Sequence, residues 1–410
     1  MNKHIWYITK YFSLDDNASV GSRSRHLIKE FAKHNYKTTV ITSDSNNLTE
    51  MPVLDKKVTL QNEDGFDVIW LKTLKYSVAK SILRILSWVH FEFNLFNFDK
   101  TSIAKPDVVI VSSLSLLTII NGIRIKRQFN CKLIFEIRDI WPLTLVEEGG
   151  FSERNPLIKA LSIIEKWGYQ QSDIIVGTMP NLKQHVTELL GYEKPVHCIP
   201  MGINNEMVLQ RDAISEDYIY KYLNKDYFNI VHAGTVGITN ALDTFFAAAE
   251  VLHDDVSIRF VIVGDGALKE TYQNKYKHLD NLIFAPKVSK TEVGSVLSNS
   301  DLVYFSTFKS RVWDYGQSLN KVIDYMLSGK PILASYSGYP SMINEANCGF
   351  FVPAEDVSAL VEKIKFITQL PSDEREKIGM NGRNWLIKNR LYSILAERYL
   401  NIMFEKNAEM

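Results

Sequence analysis

The stretch SLNKVIDYMLSGKPILAS, from Ser318 to Ser335, decides how the chain is read. Val322, Ile323, Tyr325 and Met326 fall at helical spacing, and Ser328-Gly329-Lys330-Pro331 carries the glycine and proline that end a helix. Ile332-Leu333-Ala334 then begins a short apolar run bounded by turn residues, the signature of a buried strand. A helix that turns straight into a buried strand is one half of a parallel α/β unit. The acid inside the helix, Asp324, has two readings. The chain turns about 100° per residue, so the carboxylate either faces solvent or faces a site.

Outward from this stretch the same rhythm runs almost from end to end. Strands are expected at His4–Thr9, Lys37–Thr42, Asp107–Val111, Lys132–Ile137 and Asp173–Val176, with helices from Gly21-Ser22 to His34-Asn35 and near Leu114–Gln128, Pro156–Gln171 and Pro180–Leu190. Gly191–Asn205 reads as a crossing, after which strands follow at Phe228–His232, Val256–Val263, Leu282–Phe284, Leu302–Phe305 and Pro331–Ala334. At 410 residues the chain exceeds what one core serves, so two α/β domains are expected, residues 1–200 and 201–388, with a terminal segment 389–410.

Lysine plus arginine (47) equals aspartate plus glutamate (47), which removes the global basic field of a nucleic-acid binder. Cys131, Cys198 and Cys348 have neither zinc nor disulfide spacing and suit a reducing cytoplasm. No D-x-D pair or H-x3-H spacing offers a metal site, and His26 and His232 read as a helix-surface and a strand-end residue. The first residues are apolar too briefly for a signal peptide, and no run of about 20 apolar residues offers a membrane span. One segment breaks the rhythm. Lys75–Lys100 sets Ile82, Leu83, Ile85, Leu86 and Trp88 among Lys75, Lys80 and Arg84, a helix that lies either on a membrane surface or on the first sheet.

In doubly wound sheets ligands sit beyond the carboxyl ends of strands, where glycines let backbone approach phosphate. Candidate loops are Gly21 to Arg25 in the first domain, and Gly234-Thr235-Val236-Gly237 and Gly264-Asp265-Gly266 in the second. None is a dinucleotide fingerprint or a phosphate loop, and glycine at such a turn often only closes it. A helix starting near Asn320 and Lys321 aims backbone N–H groups and one cation at a diphosphate. Asp324, a turn later, is a two-acceptor carboxylate suited to ribose hydroxyls. Together these suit a nucleotide.

The segments GSRSRHLIKEFAKHNYKTTVITS, EIRDIWP, IPMGIN, VHAGTVGITNALDTF, VIVGDG and SLNKVIDYMLSGKPILAS occur in that order, and with them the chain resembles the retaining, GT-B-fold glycosyltransferases of family 4, particularly bacterial ones that build O-antigen and capsule repeat units on a lipid carrier. The resemblance implies two Rossmann-like domains facing a cleft, acceptor in the first and sugar nucleotide in the second, with the last helix, near Leu391–Phe404, crossing back. It implies a nucleotide-diphosphate sugar donor, UDP-linked and within reach of N-acetylated sugars, and a polyprenyl-diphosphate-linked saccharide acceptor. It places the protein in the cytoplasm at the inner face of the membrane, docked through Lys75 to Lys100. No cofactor or metal is called for.

The resemblance also distributes roles. Gly234, Thr235, Gly237, Gly264, Gly266, Lys287, Asn320, Lys321 and Asp324 are expected at the donor, and Gly21, Arg23, Arg25, Arg138 and Trp141 at the acceptor. Asp139 is the expected catalytic group, orienting the acceptor hydroxyl or accepting its proton; the other reading is a salt bridge of Arg138 with Asp139 or Glu136. Arg23 and Arg25 either hold an acceptor diphosphate or lie exposed on the first helix. The chain departs from the family pattern twice. The E-x7-E motif falls on Gly316 and Asp324, so its first acid is missing, and so is the basic pair usual after the first glycine loop of the second domain; Arg311 is a further cation that could serve there. A non-catalytic binding subunit of the same fold, favoured by Gly316, and a sugar-nucleotide 2-epimerase are the rival readings.

Overall fold

The computed structural model describes residues 3–15, 22–47, 49–77, 81–209 and 212–404. The chain divides into two compact units, Met1–Gly202 with Tyr392–Met410, and Ile203–Leu391. Unit 1 holds β1 (His4–Ile8), β2 (Lys37–Ser43), β3 (Val58–Glu63), β4 (Phe66–Leu71), β5 (Val108–Ser112), β6 (Lys132–Ile137), β7 (Ile174–Gly177) and β8 (Val196–Cys198), in the order β3-β4-β2-β1-β5-β6-β7-β8. All pairings are parallel except that of β3 with β4. Every residue of β1 and β5 is buried, as central strands covered by helices on both faces require.

Unit 2 holds β9 (Phe228–Ala233), β10 (Ile258–Val263), β11 (Leu282–Ala285), β12 (Leu302–Ser306), β13 (Ile332–Ser335) and β14 (Gly349–Val352). Their order is β11-β10-β9-β12-β13-β14, all parallel. The order reverses between β9 and β12, which makes the carboxyl ends of those two strands the place where a doubly wound sheet opens a crevice. The quoted stretch forms the helix Asn320–Ser328, capped at Gly329 with φ 74°, and then β13.

The helix Tyr392–Phe404 belongs to unit 1 and packs on the helix Ser22–Lys33. Tyr399 meets Phe31 edge-on at 5.9 Å and Phe404 stacks on Tyr36 at 4.9 Å. His26, expected at the helix surface, is buried and stacked on Tyr392 at 4.8 Å, because the returning helix covers that face.

Candidate functional site

Unit 2 concentrates polar groups at the β9/β12 switch. The loop after β9 carries Gly234 and Thr235, and the short turn Ile238–Asn240 follows. Asn240 is the brace of this corner, a residue whose importance the sequence does not advertise. Its Nδ2 donates to Thr235 O at 2.7 Å, its carbonyl accepts from Ser306 Oγ at 2.8 Å, and its Oδ1 accepts from Lys321 Nζ. Tyr325 ties the helix 320–328 to the same corner, its hydroxyl donating to Ala233 O at 3.1 Å and accepting from Ala233 N at 3.0 Å.

Lys321 and Asp324 are one turn apart on that helix and share a face. No side chain caps the helix's first turn, where Asn320 is exposed. Among the described residues no acid pairs with Lys321, and burial alone lowers its ammonium to about 8. A half-buried ammonium without a counter-ion is favoured by an anion placed beside it. Asp324 is half-buried and its carboxylate makes no hydrogen bond among the described residues; burial raises it to about 6, against the pull of Lys290. Lys287 is exposed in the loop after β11.

Several expected donor groups are committed elsewhere. The Gly234 N–H donates to Val263 O at 2.9 Å, so the expectation that it faces a phosphate is corrected; it is closing the sheet. Gly264 and Gly266 are glycines because the loops after β9 and β10 touch. A Cβ would stand 1.9 Å from Gly234 O at the first and 2.3 Å from Val236 O at the second. Gly237 starts the turn that carries Asn240, with extended backbone.

Gly316 is more than a missing side chain. It is buried with φ 99° and ψ 170°, a conformation that glycine adopts freely and an L residue does not, at the end of the turn Arg311–Tyr315. A glutamate cannot be restored there without strain, so the backbone itself departs from the expected pattern. Arg311 and Asp314 in that turn are exposed.

In unit 1 the strand β6 carries Glu136 near its end, and Arg138 and Asp139 follow it, before a cis Trp141-Pro142 bond. Arg23, expected either at a phosphate or on the surface, does neither. It is 1% exposed, donates to Glu136 at 2.7 Å, to Ile199 O at 2.6 Å and to Pro200 O at 3.3 Å. Tyr7 and Tyr399 also donate to Glu136. Burial pushes this carboxyl up, but Arg23, Arg138 and the hydrogen bonds hold it below its ordinary range. Arg23 thus ties the first helix to β6 and to residues 199–200. Arg25 is half-buried, and Gly21 lies outside the described residues.

Asp139 makes no salt bridge with Arg138. Its side chain is open at the turn, yet the protein around it raises its carboxyl, with Arg138 opposing. Glu148, not singled out by the sequence, is pushed up by burial and then by Asp139 and Glu147, so acids gather at this turn. Arg138 N donates to Ser113 Oγ at 2.9 Å, next to the β1/β5 switch of the sheet. Trp141 packs edge-on against Trp88 at 5.4 Å.

Trp88 lies in the helix Ile82–Asn97, which has two faces. Ser87, Phe91 and Leu95 are buried inward, and Trp88 Nε1 donates to Tyr11 Oη at 2.7 Å. Outward stand Ile82 (73% exposed), Ile85, Leu86, Val89, Phe93 (65%) and Phe96. The inner face thus packs on the protein, as one of the two readings expects, while the outer face carries an exposed apolar stripe. Arg84 stacks on Trp88 and Arg124 on Phe96 at the edge of the apolar stripe. No helix among the described residues is long and apolar enough to cross a membrane.

Comparison with known proteins places glycosyltransferase domains in both halves. Residues 20–206 match the family model described as Glycosyltransferase Family 4, and residues 227–369 match Glycosyl transferases group 1. WcaL of Escherichia coli (strain K12), named for colanic acid biosynthesis and glycosyl transfer, is 24% identical over 166 residues, 36% of this chain. The chain spans 40% of the length of that relative. Among solved structures, sucrose-phosphate synthase from Thermosynechococcus elongatus covers 98% of both chains with a TM-score of 0.69 at 16% identity. A trehalose-6-phosphate protein of E. coli bound with UDP-2-fluoro glucose covers 99% of this chain and 100% of its own, with a TM-score of 0.74 at 11% identity. HepE from Anabaena, in complex with UDP, covers 98% and 99%, with 0.66 at 12%. These likenesses are likenesses of fold.

Proposed function

We propose that this two-domain chain of the GT-B glycosyltransferase type transfers a sugar, with retention, from a nucleotide-diphosphate donor held by unit 2 to a lipid-linked saccharide held by unit 1. The observation that carries the reading is the pair Lys321 and Asp324, a cation without a counter-ion and a carboxylate without a hydrogen bond, one turn apart at a sheet's switch point. A diphosphate answers the first and ribose hydroxyls the second. UDP is the favoured carrier, since neighbours of this fold are described with UDP or a UDP sugar.

In this reading the bond from the anomeric carbon to the diphosphate oxygen breaks and one to the acceptor oxygen forms on the same face. The acceptor's proton passes to the departing phosphate, directly or by way of Asp139. Stabilising charge on that phosphate is the main catalytic work, and it falls to Lys321, the Thr235 backbone and the first turn of the helix 320–328. Lys287 is placed at the donor's periphery. Arg138, Trp141 and Arg25 serve the acceptor; Arg23 supports them from the interior through Glu136.

The acceptor is proposed to be a polyprenyl-diphosphate saccharide of O-antigen, capsule or related polysaccharide assembly, met at the cytoplasmic face of the membrane. Support comes from the match to WcaL and from the apolar stripe of the helix 82–97, whose inner face bears Trp88 against Trp141. The test is product analysis. The protein is incubated with a panel of UDP and GDP sugars and a short-chain polyprenyl-diphosphate saccharide, and the new linkage is read by mass and by its anomeric coupling. One donor giving a product with the donor's own anomeric configuration is the expected result; inversion, or hydrolysis of donor with no product, contradicts the proposal.

A further inference from the structure

His232, the fifth residue of β9, is fully buried, and its Nδ1 lies 3.2 Å from Tyr304 O. A carbonyl only accepts, so Nδ1 carries the proton and Nε2 is left as a bare lone pair. That Nε2 has no hydrogen-bond partner, the kind of buried orphan that calls for an explanation. It lies 3.4 Å from the point where a Cβ on Gly234 would stand, and Lys321 Nζ lies 3.9 Å from the same point. Gly234, at φ 156°, keeps that point clear. Lys321 has three N–H groups and spends one on Asn240 Oδ1.

We propose that Asn240 Oδ1, through its hydrogen bond, and the unpartnered lone pair of His232 Nε2, as a neighbouring dipole open to another N–H of the same ammonium, keep Lys321 charged beside Gly234, with its charge left over for an anionic ligand. A carboxylate in either place would secure the ammonium equally well and cancel its charge; two dipoles secure it without cancelling it. His232 and Asn240 are positioning residues, acting through Lys321. The other charged groups around the helix 320–328 are engaged elsewhere: Lys290 acts on Asp324, and Arg383 donates to Leu327 O at 2.6 Å. His232 itself stays neutral, since burial and then Lys321 push it down to about 3. The inference rests on the reading of Lys321 as a diphosphate contact.

The test uses inorganic diphosphate, which engages the cation without needing the right base. The full-length parent, Lys321→Ala, Asn240→Ala, His232→Phe, His232→Gln and Asn240→Asp are titrated across pH 6.5 to 9.5, followed by melting temperature. Removing an acceptor lowers the ammonium's pKa, so Asn240→Ala and His232→Phe should lose affinity at lower pH than the parent, by roughly one pH unit, and bind within about threefold of it at pH 6.5. His232→Gln, which restores an acceptor, should return the limb toward the parent's and covers the case in which His232→Phe fails to fold. Asn240→Asp should raise the melting temperature while weakening diphosphate about tenfold or more at every pH. An alkaline limb unchanged in Asn240→Ala and the His232 variants, with Lys321→Ala still defective, overturns this inference alone. Binding unaffected by Lys321→Ala, or absent from the parent, overturns the diphosphate reading and the inference with it.

Discussion

Asp324 sits where a protein optimised only for stability would not leave a carboxylate. Its folded pKa, about 6, lies above its ordinary value of 3.8, so the folded chain holds this proton more tightly than the unfolded one. Stability therefore falls as pH rises between the two values, and at neutral pH the full penalty is present. Asp324→Asn should raise stability at pH 7.5 by on the order of 1–2 kcal/mol, with the gain fading toward pH 4, as read from urea midpoints at both. Glu136 is the opposite case, a buried carboxylate whose arginine and two tyrosines hold it ionised. Nothing local in the sequence separates Arg23 from a surface arginine, because its partner is 113 residues away. Asn240 and His232 were illegible for the same reason. Their meaning comes from Lys321, which reaches Asn240 across 81 residues.

At the scale of elements, buried parallel strands announce themselves as apolar runs, and Lys132–Ile137 is legible to the residue. The strands less legible are the edges β3, β8 and β14, where burial is partial and the apolar signal thins, together with β4, which is buried at all positions but Asp67 and which no local feature of the sequence kept from being read. The β3 strand Val58–Glu63 is nowhere buried, its Leu60 is 57% exposed, and β8 and β14 are three and four residues long. The Asp64-Gly65 pair between β3 and β4 was the available clue, since a glycine with φ 88° closes that hairpin. The helix Ile82–Asn97 was legible as amphipathic, but its orientation was not: Trp88 points inward to Tyr11 and Trp141, away from the exposed stripe. Leu86→Glu with Phe93→Glu should therefore abolish sedimentation with anionic vesicles at low salt while leaving the melting temperature nearly unchanged. Substituting Trp88 should do the reverse, lowering the melting temperature first.

For the whole molecule, the helix Tyr392–Phe404 is part of unit 1's core. Tyr392, Leu395, Tyr399, Leu400 and Met403 are all buried in one cluster with Leu27, Ile28 and Phe31. Each such side chain contributes about 1.5–3 kcal/mol, so together they rival the net stability of a domain. A chain ending before Tyr392 should fail to fold unit 1, seen as loss of soluble protein or a melting transition for unit 2 alone. Ile203 N donates to Arg390 O at 2.9 Å, so unit 2 begins and ends at adjacent residues. Both sheets reverse their order between central strands, at β1/β5 and at β9/β12, so topology alone does not choose between the halves. The pair Lys321 and Asp324 is what favours a nucleotide in unit 2.

The most direct measurement is a calorimetric titration of UDP and GDP into the parent and into Asp324→Asn at pH 7.5, with both melting temperatures recorded. One nucleotide should bind the parent and be lost by the variant, even though the variant melts higher. Equal nucleotide binding by a stable Asp324→Asn protein would contradict donor binding at Asp324, and would move the donor away from the helix 320–328.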